Sequence, residues 1–296
     1  VALLARAHPG NVPGDLFVDE ACIACDTCRA IAPATFGGDE DGVAYVARQP
    51  TGPAERRRAL MALVACPVAA IGARTKAGIA EAARAFPEPL APGVLRCGYA
   101  AESSFGAAAW LVLRPDGNVL VDSPRFAAPL AARIRALGGA RLMFLTHRDD
   151  VADHARWREA LGCERVLHAR DVGRGTGGVE RRLEGDAPAA LGPGLLAVPV
   201  PGHTAGSTAL LVDDAFLFTG DHLWGDAAGR LGASRAVCWW DWEAQIASME
   251  RLARLRFEWV LPGHGRPWRA GSAEEARSAV LALARAMRAT ARSAPG

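Results

Sequence analysis

Short apolar runs set off by Gly and Pro dominate the chain from about residue 93 onward. Trp110–Leu113, Val119–Val121, Leu142–Leu145, Leu195–Val200, Ala209–Val212, Phe216–Phe218 and Trp259–Leu261 predict buried strands. Ala127–Leu137, Ala152–Leu161, Glu243–Leu255 and Ala273–Thr290 carry apolar residues at helical spacing and predict amphipathic helices. Upstream the rhythm differs: residues 1–75 hold a cysteine run and one basic helix-like stretch, Ala54–Ala65. Between the two regions lies Phe86-Pro87-Glu88-Pro89-Leu90-Ala91-Pro92-Gly93. Prolines this dense suit neither a helix interior nor a central strand. The pattern therefore predicts a domain over 1–75, a linker over 76–92 and a larger domain over 93–296, with no repeat of fixed period.

Composition narrows the classes. Half of the 296 residues are hydrophobic (50%) and 22% are charged, which suits a packed globular chain and excludes intrinsic disorder. Lys and Arg number 34 against 32 Asp and Glu, a net of +2. So small an excess argues against a partner in nucleic acid or an anionic membrane. No apolar stretch approaches the roughly 18–20 residues of a membrane span. Val1–Ala5 is too short for a signal-peptide core. Closely spaced thiols point to a reducing compartment, so a cytoplasmic location is expected.

Cys22, Cys25 and Cys28 stand at intervals of three, and Cys66-Pro67 follows much later. A cubane cluster needs thiolates on several sides. A tight loop wraps three corners and a distant cysteine closes the fourth. Where two-cluster proteins place another cysteine before proline, this chain has Ala32-Pro33. The segment 14–73, including its ending Ala65-Cys66-Pro67-Val68-Ala69-Ala70-Ile71, resembles a one-cluster bacterial-type ferredoxin. The resemblance implies an α+β domain whose Cys22, Cys25, Cys28 and Cys66 hold a [4Fe-4S] cluster, as an electron-transfer, sensing or structural accessory. A structural zinc knot is the alternative, although zinc sites more often use two separated C-x2-C pairs. Cys97, Cys163 and Cys238 read as small buried hydrophobes.

In the larger domain, four apolar runs each end on metal-ligand residue types. Leu142–Thr146 leads into His147, Leu195–Pro201 into Gly202-His203, Phe216–Gly220 into Asp221, and Trp259–Gly263 into His264. Strands of one sheet deliver their ends to a common edge, the usual place for a site. Asp153-His154 then opens the next helix-like stretch.

These motifs resemble the metallo-β-lactamase fold, in particular its glyoxalase II-like branch of metallohydrolases, over residues 93–270. Thr146-His147-Arg148-Asp149-Asp150-Val151-Ala152-Asp153-His154 is similar to the family's T-H-x-H-x-D-H motif. Pro201-Gly202-His203, Thr219-Gly220-Asp221 and Pro262-Gly263-His264 are similar to its later motifs, and Val121-Asp122-Ser123 to an early strand-plus-Asp feature. The resemblance implies an αββα sandwich with two divalent metal ions, zinc or iron/manganese. His147 and His203 would hold the first ion, Asp153, His154 and His264 the second, and Asp221 would bridge them. Asp153 and Asp221 would be the carboxylates at the reacting centre. The implied activity is that of a metal-dependent hydrolase activating water against an ester, thioester or other activated carbonyl of a small-molecule substrate.

The first motif departs from the family. It is two residues longer and lacks the second histidine. Either way of aligning it points to Asp149 as the seventh ligand, with Asp150 as competitor and helix capping as the non-ligand reading of both. A carboxylate there suits iron or manganese better than zinc. Flavodiiron relatives on the same fold also carry one. The second functional expectation is therefore an oxidoreductase whose non-haem iron centre draws electrons from the cluster, with a redox partner protein. A third is a redox sensor with a merely structural metal site.

Other features rank lower. Gly173-x-Gly175-x-x-Gly178 matches a dinucleotide fingerprint but lacks the flanking strand and helix, so it reads as a loop. No G-x-S-x-G elbow is present. Trp239-Trp240-Asp241-Trp242 reads either as core packing at a helix start or as a wall facing substrate. His168 is left unassigned, and His222 reads as a neighbour of the metal ligands rather than one of them.

Overall fold

The computed structural model describes residues 1–293 and divides into two compact units, 1–143 with 151–163, and 144–150 with 164–296. Among the described residues, no helix is long and apolar enough to cross a membrane.

The first unit opens with β1 (Leu16–Val18), α1 (Thr27–Ile31), β2 (Phe36–Gly38), β3 (Ala44–Val46), α2 (Pro53–Ala65), β4 (Ile71–Ala73) and α3 (Ile79–Arg84). β1 pairs antiparallel with β4, Phe17 opposite Gly72, and so ties the two ends of the cysteine region together. β2 and β3 form a hairpin whose turn is held by the Asp39 carboxylate, which accepts the N–H groups of Asp41 and Val43. α2 starts on Pro53, whose fixed φ suits the first helical position. It buries Ala59, Leu60, Met61, Ala62 and Ala65 and stops at Cys66, because Pro67 disfavours helical backbone in the residue before it.

The region expected to be a linker is structured. α3 occupies part of it and β5 (Glu88–Ala91) the rest. β5 is an edge strand, where proline's missing N–H interrupts no ladder. It pairs antiparallel with β6 (Val94–Arg96). Arg58 of α2 forms an ion pair with Glu88 of β5 and donates to the Ile31 carbonyl at 2.9 and 2.6 Å. These ties hold the cysteine region to the strands that follow, within one compact unit. β7 (Trp110–Val112), β8 (Val119–Val121), α4 (Ala128–Ala136), β9 (Leu142–Phe144) and α5 (His154–Leu161) complete the unit. β6, β7 and β8 form an antiparallel meander. Trp157 of α5 is fully buried and donates its indole N–H to the Pro124 carbonyl at 2.7 Å.

The second unit contains β10 (Glu164–His168), β11 (Arg181–Leu183), β12 (Ala189–Gly192), β13 (Leu195–Pro199), β14 (Thr208–Val212), β15 (Phe216–Gly220), β16 (Trp224–Gly225), β17 (Leu231–Gly232), α6 (Trp242–Leu252), β18 (Trp259–Pro262), β19 (Trp268–Arg269) and α7 (Ala273–Ser293). β12 to β15 run antiparallel, β15 pairs parallel with β18, and β18 antiparallel with β19. The core beneath α6 and α7 gathers Val198, Leu217, Ile246, Met249, Phe257, Val260, Val280 and Met287. Every residue of β14 is buried, so the strand reads as a continuous apolar run rather than an alternating one.

This mixed sheet positions chemistry. Two successive antiparallel pairings make β13 run the same way as β15, and β18 is parallel to β15. Their C-terminal ends therefore share an edge, and residues 200–204, Asp221 and Gly263-His264 leave the sheet there. The segment 144–150 is laced to the same unit by Leu145 N–H to the Val166 carbonyl (2.9 Å) and Thr208 N–H to the Thr146 carbonyl (2.8 Å).

Candidate metal centre and cysteine cradle

Cys22, Cys25, Cys28 and Cys66 line one pocket with Ile23, Thr27, Ala44, Val68 and Ile71. Left-handed backbone at Ala24 and Asp26 curls the loop so that three cysteines face inward. Ala44 N–H and Ala70 N–H donate to the sulfurs of Cys22 and Cys66, each at 3.3 Å. Burial pushes the thiols of Cys25, Cys28 and Cys66 up, and the neighbouring thiols push the same way. Four sulfurs so placed fit an iron–sulfur cluster, whose binding displaces thiol protons. One wall comes from residues beyond β6. Thr27 Oγ1 donates to the Gly106 carbonyl at 2.9 Å, and a Cβ on Gly106 would stand 2.8 Å from Cys25 Sγ. Only glycine allows that approach.

Two overlapping groups of ligand atoms converge in the second unit: His147, Asp149 and His203; and His147, Asp150 and Asp221. His147 Nε2 stands 4.0 Å from Asp149 Oδ2, 4.0 Å from Asp150 Oδ2 and 3.7 Å from Asp221 Oδ2. His203 Nε2 stands 3.4 Å from Asp149 Oδ2 and 3.8 Å from Asp221 Oδ2. His264 Nδ1 lies 2.8 Å from both oxygens of Asp221. A Cβ on Gly263 would meet Asp150 Oδ2 at 2.5 Å and Asp221 Oδ1 at 2.8 Å, so glycine is required where these carboxylates approach the chain.

The donor set fits metal ions. His203 Nδ1 donates to the Val237 carbonyl at 2.6 Å, which leaves a lone pair on Nε2 aimed at the carboxylates. His147 Nε2, His203 Nε2 and Asp149 Oδ2 are buried and carry no hydrogen bond. Lone pairs converging without protons repel unless a cation stands between them. Ligand atoms about 2.0–2.2 Å from one ion stand about 3.3–3.6 Å apart in a tetrahedron, close to these separations.

Burial holds the His147 imidazole down to about 4 against the attraction of Asp221, so it is neutral and ligand-ready at neutral pH. Burial alone would raise the Asp221 carboxyl, but His264, His147 and His203 together hold it far below the usual carboxylate range. Asp149 is held low by the imidazole of His203.

Five of the seven expected metal residues, His147, Asp149, His203, Asp221 and His264, thus meet in the second unit. Asp153 and His154 belong to the first unit. Asp153 sits in left-handed backbone before α5, and its carboxylate accepts the Phe126 N–H at 2.7 Å. Asp150 stands beside His147 and Asp221 in the second unit.

Asp171 is a member of this neighbourhood that spacing did not reveal. It is buried, and its carboxylate accepts Arg148 N–H (3.0 Å), Thr204 Oγ1–H (2.6 Å) and Gly206 N–H (2.9 Å). It thereby joins the loop bearing Asp149 to the loop bearing His203. The signal was present, since Asp171 follows β10 as the other ligands follow their strands. Asp171→Ala strips three donors of their acceptor. It is expected to destabilise the fold by roughly 3–5 kcal/mol and to weaken metal binding, measured by urea melts and metal titration.

His168 is occupied structurally, with Nε2 2.9 Å from the Gly185 carbonyl and Nδ1 accepting Arg170 N–H. His222 is fully buried without a hydrogen bond on either ring nitrogen, and burial holds it down to about 3. In the metal-free protein, His147 and His222 stay neutral when folded while the unfolded chain protonates near 6.5. Stability is therefore full above that pH and falls as pH drops from 6.5 toward 4, at up to about 2.7 kcal/mol per pH unit for two imidazoles. Thermal melts of metal-free protein across that range check this, and a flat profile would contradict it.

Comparison with known proteins bears on the same residues. The family model "Metallo-beta-lactamase superfamily" matches residues 99–273, most of the chain. The chain belongs to the metallo-beta-lactamase superfamily. A second model, "4Fe-4S single cluster domain of Ferredoxin I", matches residues 18–73, so this superfamily member carries a ferredoxin-type domain at its N-terminal side. Among solved structures, the DIM-1 metallo-beta-lactamase is 15% identical with TM-score 0.51, covering 66% of this chain and 96% of that one. A metallo beta lactamase from Hirschia baltica is 19% identical with TM-score 0.51, covering 67% and 95%. TTHA1623 in a di-iron-bound form is 26% identical with TM-score 0.46, covering 65% and 97%. The first two identities speak for the fold alone, an α/β sandwich with mixed sheets. A search of the curated proteins finds no match.

Proposed function

We propose that this superfamily member is a metal-dependent hydrolase with a dinuclear centre, acting on an ester, thioester or other activated carbonyl. Its [4Fe-4S] cluster serves electron transfer or sensing beside that centre. The supporting observation is the shared carboxylate. Asp221 Oδ2 faces His147 and His203, and both Asp221 oxygens lie 2.8 Å from His264. Asp221 would thus bridge one ion held by His147, Asp149 and His203 and a second held by Asp150 and His264. Two such ions, when bound, lower the pKa of a shared water toward neutrality and polarise a carbonyl oxygen. Neutral His147, the tautomer of His203 fixed by Val237, and the anionic Asp221 set up the donors without reorganisation.

A second reading has its own observation. Asp149, Asp150 and Asp221 equal the three imidazoles in number, and hard oxygen donors suit iron or manganese. With the cluster in the same chain, that donor set also suits a non-haem iron oxidoreductase.

The deciding assay uses metal-loaded protein with a thioester and an aryl ester, the cluster oxidised or reduced. The hydrolase reading expects cleavage in both states. Consumption of an oxidant only with reductant present, abolished by Cys25→Ala, would replace it by the second reading.

The assignment of Asp150 is separately testable. Asp150→Asn is expected to lower metal occupancy. Asp153→Asn is expected to keep both ions and lose only about 1 kcal/mol with its hydrogen bond. Metal analysis of the two variants decides, and the opposite pattern would restore Asp153 as a ligand.

A further inference from the structure

The tryptophan cluster divides into two kinds of residue. Trp242 packs against the core below α6, and Asp241 caps that helix by accepting Ala244 N–H at 2.8 Å. Trp239 and Trp240 stay in solvent at 61% and 51% exposure, and Val237 beside them at 38%. Nothing in the packing of the second unit explains leaving two indoles out, because the backbone here is fixed rather than loose. Val237 accepts the Nδ1–H of His203, Trp239 N–H donates to the His203 carbonyl at 3.0 Å, and Asp241 N–H donates to the Gly202 carbonyl at 3.0 Å. Cys238 Sγ donates to the same Gly202 carbonyl at 3.1 Å. The indole of Trp239 stands 6.1 Å from the imidazole of His203, ring centre to ring centre. The exposed rings are thereby pinned to a residue whose other nitrogen faces the metal-binding carboxylates.

We propose that Trp239 and Trp240 form a rigid apolar wall that selects substrates by an aromatic group beside the scissile carbonyl. This deepens the hydrolase reading and rests on it. An exposed indole gains most from a flat partner, since offset or edge-on aromatic contact adds to the burial of apolar area. The backbone bonds to Gly202 and His203 hold the wall in place before a ligand arrives, so little ordering is lost on binding. The group so held sits next to His203. The wall acts on binding and on the choice of substrate, and takes no part in bond making.

The test compares a phenylacetyl with an acetyl thioester of the same thiol, on wild type, Trp239→Ala, Trp240→Ala and the corresponding Phe variants. The ratio of kcat/KM for phenylacetyl over acetyl is expected to fall about 10-fold or more in the Ala variants, mainly through KM, and to be largely retained with Phe. Metal content should stay at the wild-type level. Phenylacetate, which undergoes no turnover, should quench tryptophan fluorescence in wild type and much less in Trp240→Ala. Equal losses for both substrates would show that the segment merely holds His203, and would overturn the proposal. Absence of any thioester cleavage would sink the hydrolase reading. In that case the fluorescence titration still judges the wall: saturable quenching lost in the Ala variants supports it, and no quenching overturns it.

Discussion

Asp221→Asn is expected to strip the centre of at least one of its two ions and to lower kcat/KM by more than about 100-fold. Residues that merely orient metal ligands cost 10–100-fold when changed, and Asp221 faces the ligand atoms themselves. The argument rests on charge more than on shape. Asp221 is mostly buried, and the imidazoles around it hold it anionic. It is the one group whose oxygens face His147, His203 and His264 together. An amide keeps the volume but presents one neutral oxygen and an N–H pair, which offers no charge to bind a cation. The fold should survive, because the Asp221 backbone leaves β15 beside β18 through Gly220 opposite Pro262, a pairing the substitution leaves alone. Metal analysis and ester turnover on the same sample check the expectation. Unchanged metal content would contradict it.

Cys66→Ser carries the second large effect, on the other cofactor. Cys66 ends α2 and is held by Ala70 N–H, just before β4 closes on β1. Cys22, Cys25 and Cys28 share its pocket, so one missing sulfur leaves three thiols, and burial pushes those of Cys25 and Cys28 up. Free energy of cluster binding is also folding free energy for a small domain. The variant is expected to lose the cluster's visible absorbance. Its cysteine region should also melt about 10 °C or more below the wild type, a loss of a few kcal/mol. The His203–Asp221 centre draws no ligand from this region and should keep its metal. Absorbance, a melt followed by circular dichroism, and metal analysis report the three outcomes separately.

The parts legible in the sequence were those written in contiguous residues. Apolar runs such as Ala209–Val212 and Phe216–Phe218 became strands because they are buried on both faces and bounded by turns. Cys22, Cys25, Cys28 and Cys66 came together because loop spacing alone brings three of them near and a helix returns the fourth. Strand-end residues His203, Asp221 and His264 followed from sheet geometry, since three strands running one way end at one edge.

What escaped depended on contacts between distant segments. The resemblance named Asp150 only as a competitor of Asp149, yet it faces His147 and Asp221. Asp171 was passed over although it follows β10, because its role is to accept three hydrogen bonds from two other loops. The prolines of 86–93 announced a break, yet an edge strand accommodates them and ties Glu88 to Arg58. Of the aromatic cluster, Trp242 packs inside, as core packing at a helix start requires, while Trp239 and Trp240 remain exposed.

The most direct test of the dinuclear, cluster-bearing account is anaerobic metal analysis of the purified protein with acid-labile sulfide measured on the same sample. The account predicts about four irons matched by sulfide, together with about two further ions, at least one of them lost in Asp221→Asn. Metal limited to iron matched by sulfide, with nothing beyond it and no change in Asp221→Asn, would contradict a metal centre at His147, Asp149, Asp150, His203, Asp221 and His264.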